Sequence, residues 1–255
     1  MRVTILGSGT CVPRLSRSAC AVLVETRASK ILLDLGPGTV RRLLHCGVSI
    51  FELTHIFISH FHPDHTAELV PLLFATKYPD PAVRARPLQI MGGSGLKRFY
   101  QALQGAYDDW IVLPAAQVTI GELDTLGGET LAGDDFKLTA RPVAHRPESL
   151  AYRIEDGDGT VVTYSGDTEA CPGLVDVARQ ADLFICESAM PDGHKVPGHL
   201  TPSLAGQVAA QAQARRLVLT HLYPACDGVD IVKQAQGTYK GPVFAAEDLM
   251  TFVLP

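Results

Sequence analysis

The sequence predicts an α/β fold in which two similar halves pack sheet to sheet with helices outside. Short apolar runs bounded by Gly, Pro and Asp recur along the chain, and the second half repeats the rhythm of the first, strand-rich and then strand-helix. Polar, metal-friendly side chains stand directly after several of these runs, where a layered fold brings them to one edge. With 255 residues, 46% hydrophobic and 19% charged, the chain can bury a substantial core. No composition shift marks a linker, so residues 1–255 are expected to form a single domain.

Residues 2–6 alternate into a buried strand, and Gly7-Ser8-Gly9-Thr10 follows as a tight turn. A phosphate loop would need the lysine of GxxxxGK[ST] and a helix directly after it; both are missing, and a structural turn is favoured. Residues 19–25 and 30–34 read as a hairpin turning at 26–29, and Gly36-Pro37-Gly38 leads into a helix over 40–46. Asp34 could cap that turn or support a neighbouring metal site, and capping is the favoured reading. Residues 55–59 form the next strand, followed by an amphipathic segment at 67–74 and a loop at Tyr78-Pro79-Asp80-Pro81. A strand over 87–91 then leads through Gly92-Gly93-Ser94-Gly95 into a helix over 96–103. Amides at that helix start could hold an anion beside Lys97 and Arg98, although such glycines more often only make the turn.

Residues 111–138 contain short strand-like pieces broken by glycine. Beyond them come a strand at 137–143 leading to His145 and a hairpin of 151–155 and 160–164 around Asp156-Gly157-Asp158-Gly159. A strand over 183–186 ends at Glu187, a helix is expected over 202–214, and a strand over 217–220 ends at His221.

Charge and cysteine usage exclude several classes. A net charge of -5 argues against broad nonspecific attraction to nucleic acid, while leaving local basic patches open. The six cysteines form no CxxC pair and no dense framework, which suits a reduced cytoplasm. Residues 1–7 lack the marks of a secretory signal, and no apolar run approaches the roughly 18 residues of a membrane span.

The chemistry gathers at His60-Phe61-His62-Pro63-Asp64-His65, directly after the apolar run Ile56-Phe57-Ile58. Imidazole and carboxylate suit zinc, manganese or ferrous iron, and four such side chains exceed what one ion takes from one loop. Two divalent metal ions are therefore expected. A closed structural zinc site usually recruits cysteine, and this turn has none. His145, Asp167 and His221 also follow apolar runs; singly each would be an ordinary polar residue, but their joint placement points to one site. A carboxylate such as Asp167 between two cations offsets their repulsion, and solvent held between the ions is the expected nucleophile.

This ligand series resembles the metallo-β-lactamase superfamily, in its ribonuclease Z-like and cyclic-phosphodiesterase-like branch. The resemblance covers nearly the whole chain, including Leu6-Gly7-Ser8-Gly9-Thr10 and Asp34-Leu35-Gly36-Pro37-Gly38-Thr39. It implies a four-layer αββα sandwich. It also implies one metal on His60, His62 and His145 and a second on Asp64, His65 and His221, with Asp167 bridging. Cys186-Glu187-Ser188 and Gly198-His199-Leu200-Thr201 resemble ribonuclease Z segments in which a glutamate orients a histidine that assists the leaving oxygen. Asp64, Glu187 and His199 are thus the candidate catalytic residues. A plain alternative for His199 is a neighbour of the helix cap at Thr201. His45, His55 and His194 match nothing and read as ordinary.

The chain departs from ribonuclease Z in one place. That family commonly inserts a long glycine- and proline-rich arm for transfer RNA between the positions of His145 and Asp167, and here only residues 146–166 separate them. The expected activity is accordingly hydrolysis of a cyclic or short nucleotide-like phosphodiester. A transfer-RNA 3′-end endonuclease and a hydrolase of lactones, thioesters or β-lactams remain the alternatives. Since His62, Asp64, His65 and His221 are all present, a mononuclear oxygenase or diiron electron carrier of this fold is disfavoured. Small diesters or short nucleic acids are the expected partners, with no membrane, and the resemblance adds a homodimer.

Overall fold

The structure is a computed structural model that describes residues 1–77, 84 and 86–255. The loop expected at Tyr78-Pro79-Asp80-Pro81 lies outside the described residues. Among the described residues, six strands follow in order through the first half: β1 (Arg2–Gly7), β2 (Ala21–Glu25), β3 (Lys30–Leu33), β4 (His55–Ile58), β5 (Leu88–Gly93) and β6 (Val118–Leu123). Seven more build the second sheet: β7 (Glu129–Ala132), β8 (Phe136–Pro142), β9 (Leu150–Asp156), β10 (Val161–Tyr164), β11 (Leu183–Glu187), β12 (Leu217–Thr220) and β13 (Val243–Ala245). The last strand, β14 (Thr251–Val253), crosses back and pairs antiparallel with β1, giving two seven-stranded sheets.

Within each sheet the topology follows the sequence. The β2–β3 hairpin pairs Val22 with Leu33 and closes where the Thr26 amide donates to Ser29 O. Beyond it β3, β4, β5 and β6 run parallel, each pair requiring a crossover. In the second sheet β7 to β10 are antiparallel, and β10, β11, β12 and β13 are parallel.

Side-chain alternation sorts the apolar residues into three cores. Val22 and Val24 of β2 and Ile31 and Leu33 of β3 face the second sheet, meeting Tyr152, Val162, Tyr164 and Ile185. The alternate residues Leu23 and Leu32 face outward under the helices α1 (Thr39–His45), α3 (Leu69–Lys77) and α4 (Leu96–Tyr107). On the far side, α5 (Pro172–Val177), α6 (Pro202–Ala212) and α7 (Ile231–Gln236) cover the second sheet through Leu174, Val208 and Ile231. Helix, sheet, sheet, helix are four layers. Each such Leu or Ile removed from water contributes about 1.5–3 kcal/mol.

Two sequence expectations resolve simply. The amides of Gly95 and Lys97 at the start of α4 both donate to Glu122 Oε1, at 3.0 and 2.9 Å, so a carboxylate of the protein occupies that position. The turn after β1 is structural: Ser8 donates its amide and hydroxyl to Asp248 Oδ1 at 2.9 and 2.8 Å.

Candidate metal centre

The loops beyond β4, β8, β10 and β12 meet at one end of the sandwich, and each delivers polar side chains there. His60 and His62 follow β4, and the short helix α2 (Pro63–Thr66) carries Asp64 and His65. Pro63 suits the first helical position, where its missing amide hydrogen has no helical partner anyway. The His65 amide and the Thr66 hydroxyl both return to His62 O, at 3.0 and 2.9 Å, which locks the turn. Gly36 lets this turn sit against the chain: a Cβ there would lie 2.0 Å from Asp64 O. Gly166 does the same between the sheets, with φ of +57 and Ser59 Cβ only 2.6 Å from where its own Cβ would be.

All seven expected ligands are brought together. Asp167 Oδ1 lies 3.3 Å from His65 Nε2, and Oδ2 lies 3.4 Å from His221 Nε2, 3.6 Å from His60 Nε2 and 4.0 Å from His145 Nε2. Asp64 Oδ2 stands 3.5 Å from His221 Nε2 and 3.8 Å from His65 Nε2. His62 Nδ1 and His145 Nε2 approach to 3.4 Å. Ligands held tetrahedrally at about 2.1 Å from a common ion stand roughly 3.4 Å apart, so the spacing suits metal coordination.

The unmet polar atoms point the same way. His60 Nε2, His65 Nε2, His221 Nε2 and Asp167 Oδ1 are buried and make no well-directed hydrogen bond among the described residues. Leaving four such atoms unsatisfied would cost about 1–3 kcal/mol each. A cation among them removes the deficit. His60 is suited to bind one, because burial and the neighbouring histidines lower its pKa to about 2 and keep the ring neutral. For Asp64, burial works against ionisation, but His221 and His65 bring the carboxyl down to about 2. Asp167 is likewise held below the usual carboxylate range, burial being outweighed by His221, His65 and His60.

For His60, His65 and His145 the other ring nitrogen is fixed by the protein. His65 Nδ1 meets Asp34 Oδ2 at 2.7 Å, His60 Nδ1 meets Ser59 Oγ at 3.0 Å, and His145 Nδ1 meets Gly198 O at 2.9 Å. Here the capping reading of Asp34 is corrected. Its carboxylate is fully buried, takes the Ser59 amide and hydroxyl and the Tyr164 hydroxyl as well, and supports His65. The start of α1 is served instead by Glu68, whose oxygens accept from Gly38 N and Val40 N. Asp34 and His221 both have φ of +57, a conformation that L side chains rarely adopt and that clusters at functional sites.

Beside the cluster stands a second pair. Glu187 ends β11 and is buried; its Oε1 accepts from Thr168 N at 3.0 Å and meets His199 Nδ1 at 2.9 Å. Its Oε2 accepts from the amides of Ala189 and Leu200, both at 3.1 Å. The His199 ring stacks on His221 with centroids 5.4 Å apart and lies 5.0 Å from His145. Thr201 makes no side-chain cap, so His199 is held by Glu187 and not by the helix start. Burial alone would lower the His199 pKa, but the hydrogen bond and charge of Glu187 reverse this and leave it raised. His55, read as ordinary, packs between Phe57 and Phe136 away from the site.

A four-layer sandwich carrying a His/Asp cluster at its open end defines a metal-binding hydrolase class. The chain belongs to the metallo-β-lactamase superfamily: a family model described as a β-lactamase superfamily domain matches residues 29–222. An uncharacterized protein of Mycobacterium leprae is 33% identical over 99% of this chain and 88% of its own length. Ribonuclease Z of Haloferax volcanii is 28% identical over 312 aligned positions, covering all of this chain and 95% of its own. Among solved structures, the metallo-β-lactamase fold protein YhfI of Bacillus subtilis superposes with a TM-score of 0.84 at 23% identity, over 99% of both chains.

Proposed function

We propose that this chain is a binuclear metal-dependent phosphodiesterase acting on a cyclic or short nucleotide-like phosphodiester, with residues 1–255 as one hydrolase domain. His60, His62 and His145 would hold one divalent ion and Asp64, His65 and His221 the other, with Asp167 shared; zinc suits the donor set, and manganese or ferrous iron is served by the same ligands. When bound, such ions polarise phosphoryl oxygens and allow water to act as a nucleophile near neutral pH. Asp34, Ser59 and Gly198 O hold the ligand rings in place through the nitrogens that face away from the ions.

The observation that carries the phosphodiester reading is the Glu187–His199 pair. With Nδ1 bonded to Glu187 at 2.9 Å, the His199 ring stacks on His221 with Nε2 outside that bond, and the carboxylate favours the charged imidazole. A proton on Nε2 can then pass to the departing oxygen, which leaves poorly from phosphorus as a bare alkoxide. Purified, metal-loaded protein is expected to hydrolyse bis(p-nitrophenyl) phosphate and members of a cyclic-nucleotide panel. A lactone or thioester turned over faster than every diester would overturn the reading.

Transfer-RNA 3′ processing is the second reading, favoured by the likeness to Haloferax ribonuclease Z. Against it, the alignment runs over 312 positions while this chain has 255 residues, so the relative carries insertions absent here. Residues 146–166 are taken up mostly by the β9–β10 hairpin. Removal of the 3′ trailer from a precursor transfer RNA would establish this reading over the first.

A further inference from the structure

Glu169 lies two residues beyond Asp167, outside every expected site residue. Its Oε1 accepts from Gly198 N at 2.8 Å and from Lys195 Nζ at 2.8 Å, while its own amide donates to Ala144 O at 3.0 Å. One residue therefore fastens two separate segments. Ala144 precedes His145, and Gly198 precedes His199.

The consequence runs through Gly198. Its carbonyl meets His145 Nδ1 at 2.9 Å, and its φ of +82 is one that glycine adopts without strain. A Cβ there would stand 3.0 Å from His145 Nδ1, so the peptide packs directly against the ring it orients. The Gly198 amide is thus held by Glu169 on one side while the carbonyl fixes His145 on the other. Residues 193–195 are exposed, and the other described backbone bonds of this stretch include His199 N to Val196 O at 3.4 Å. Beyond Gly198 the chain is held by Glu187 through His199 Nδ1 and Leu200 N, but without Glu169 the Gly198 amide itself would lose its acceptor.

We propose that Glu169 is a positioning residue that sets the His145 ring through the Gly198 peptide and, by the same tether, places His199 over the cluster. The proposal rests on the metal-centre reading above, but part of its test does not. Hydrogen bonds to the outer nitrogen of a ligating histidine fix its tautomer and raise its basicity, and their loss typically weakens metal binding or activity 10- to 100-fold.

The test uses E169A and E169Q in the full chain, with imidazole 15N–1H spectra and zinc titration against a competing chelator. In E169A the His145 Nδ1–H resonance is expected to shift or broaden while those of His60 and His65 stay, and zinc affinity to fall roughly 10- to 100-fold. E169Q keeps an oxygen for Gly198 N and should recover most of both. Unchanged His145 and His199 resonances together with unchanged zinc affinity in E169A would overturn the proposal. So would an E169Q as impaired as E169A, since that would make charge and not the Gly198 bond the active feature. If wild-type protein hydrolyses no phosphodiester, the activity reading fails while the spectra and titration still decide the role of Glu169.

Discussion

Asp34 Oδ2 lies 2.7 Å from His65 Nδ1, and the same carboxylate receives Ser59 from the end of β4 and Tyr164 from β10. One buried acid therefore ties an imidazole of the His/Asp cluster to both sheets. Replacing it removes the acceptor for four donor groups on three residues at once. The variant D34A is expected to bind zinc roughly 10- to 100-fold more weakly in a chelator competition, with D34N intermediate. Wild-type affinity in D34A would show that His65 needs no such support.

Metal removal should lower stability, because it leaves His60 Nε2, His65 Nε2, His221 Nε2 and Asp167 Oδ1 buried without a well-directed hydrogen bond among the described residues. With free ion at 100 times its dissociation constant, the bound state is favoured by about 2.7 kcal/mol per site. A thermal scan is expected to show a lower midpoint after chelation and full recovery on adding zinc.

The pH dependence follows from the sign of the His199 shift. Glu187 raises the pKa of His199 above its ordinary value, and the acid form is the one that can donate a proton. Activity requiring that form persists below the raised pKa and is lost as pH rises through it. Replacing Glu187 by glutamine removes the charge that holds the imidazolium, so the alkaline limb of kcat should move to lower pH. An E187Q profile with an unmoved alkaline limb would remove His199 from the proton transfer.

Gly36 provides a test of packing at the site. A methyl group there would come within 2.0 Å of Asp64 O and 2.7 Å of the Ala19 side chain, and the first of these is backbone. The variant G36A is expected to lose about 1–3 kcal/mol in denaturant unfolding. Because α2 is what must move, zinc affinity should fall with it.

Much of the fold was legible because its signals are local. The hairpins, the helix opened by Pro202 and the strands leading to the metal turn and His221 all follow from periodicity and turn residues. The stretch after His221, unassigned from sequence, holds α7, β13 and β14, elements of only three to six residues. Their place depends on tertiary pairing, most clearly in β14, which meets β1 from the opposite end of the chain. Helix α5 is as short, and only its packing under the second sheet marks it.

At the site, the histidines and aspartates announced themselves by following apolar runs. Asp34 did not: before Gly36-Pro37-Gly38 it has the local look of a cap. Nothing near it in sequence predicts Tyr164, 130 residues away. Glu169 is hidden for the same reason, since its partners Ala144 and Gly198 lie in loops that meet only when the second sheet forms.

The most direct measurement of the central claim compares two phosphodiesters, one releasing nitrophenolate and one a nucleoside alkoxide, on metal-loaded wild type and H199A. If His199 supplies a proton to the leaving oxygen, kcat/KM for the alkoxide diester should fall about 100- to 10,000-fold in H199A. The nitrophenyl diester, whose leaving group needs no proton, should lose far less. Equal losses on both substrates, or none on either, would contradict the account.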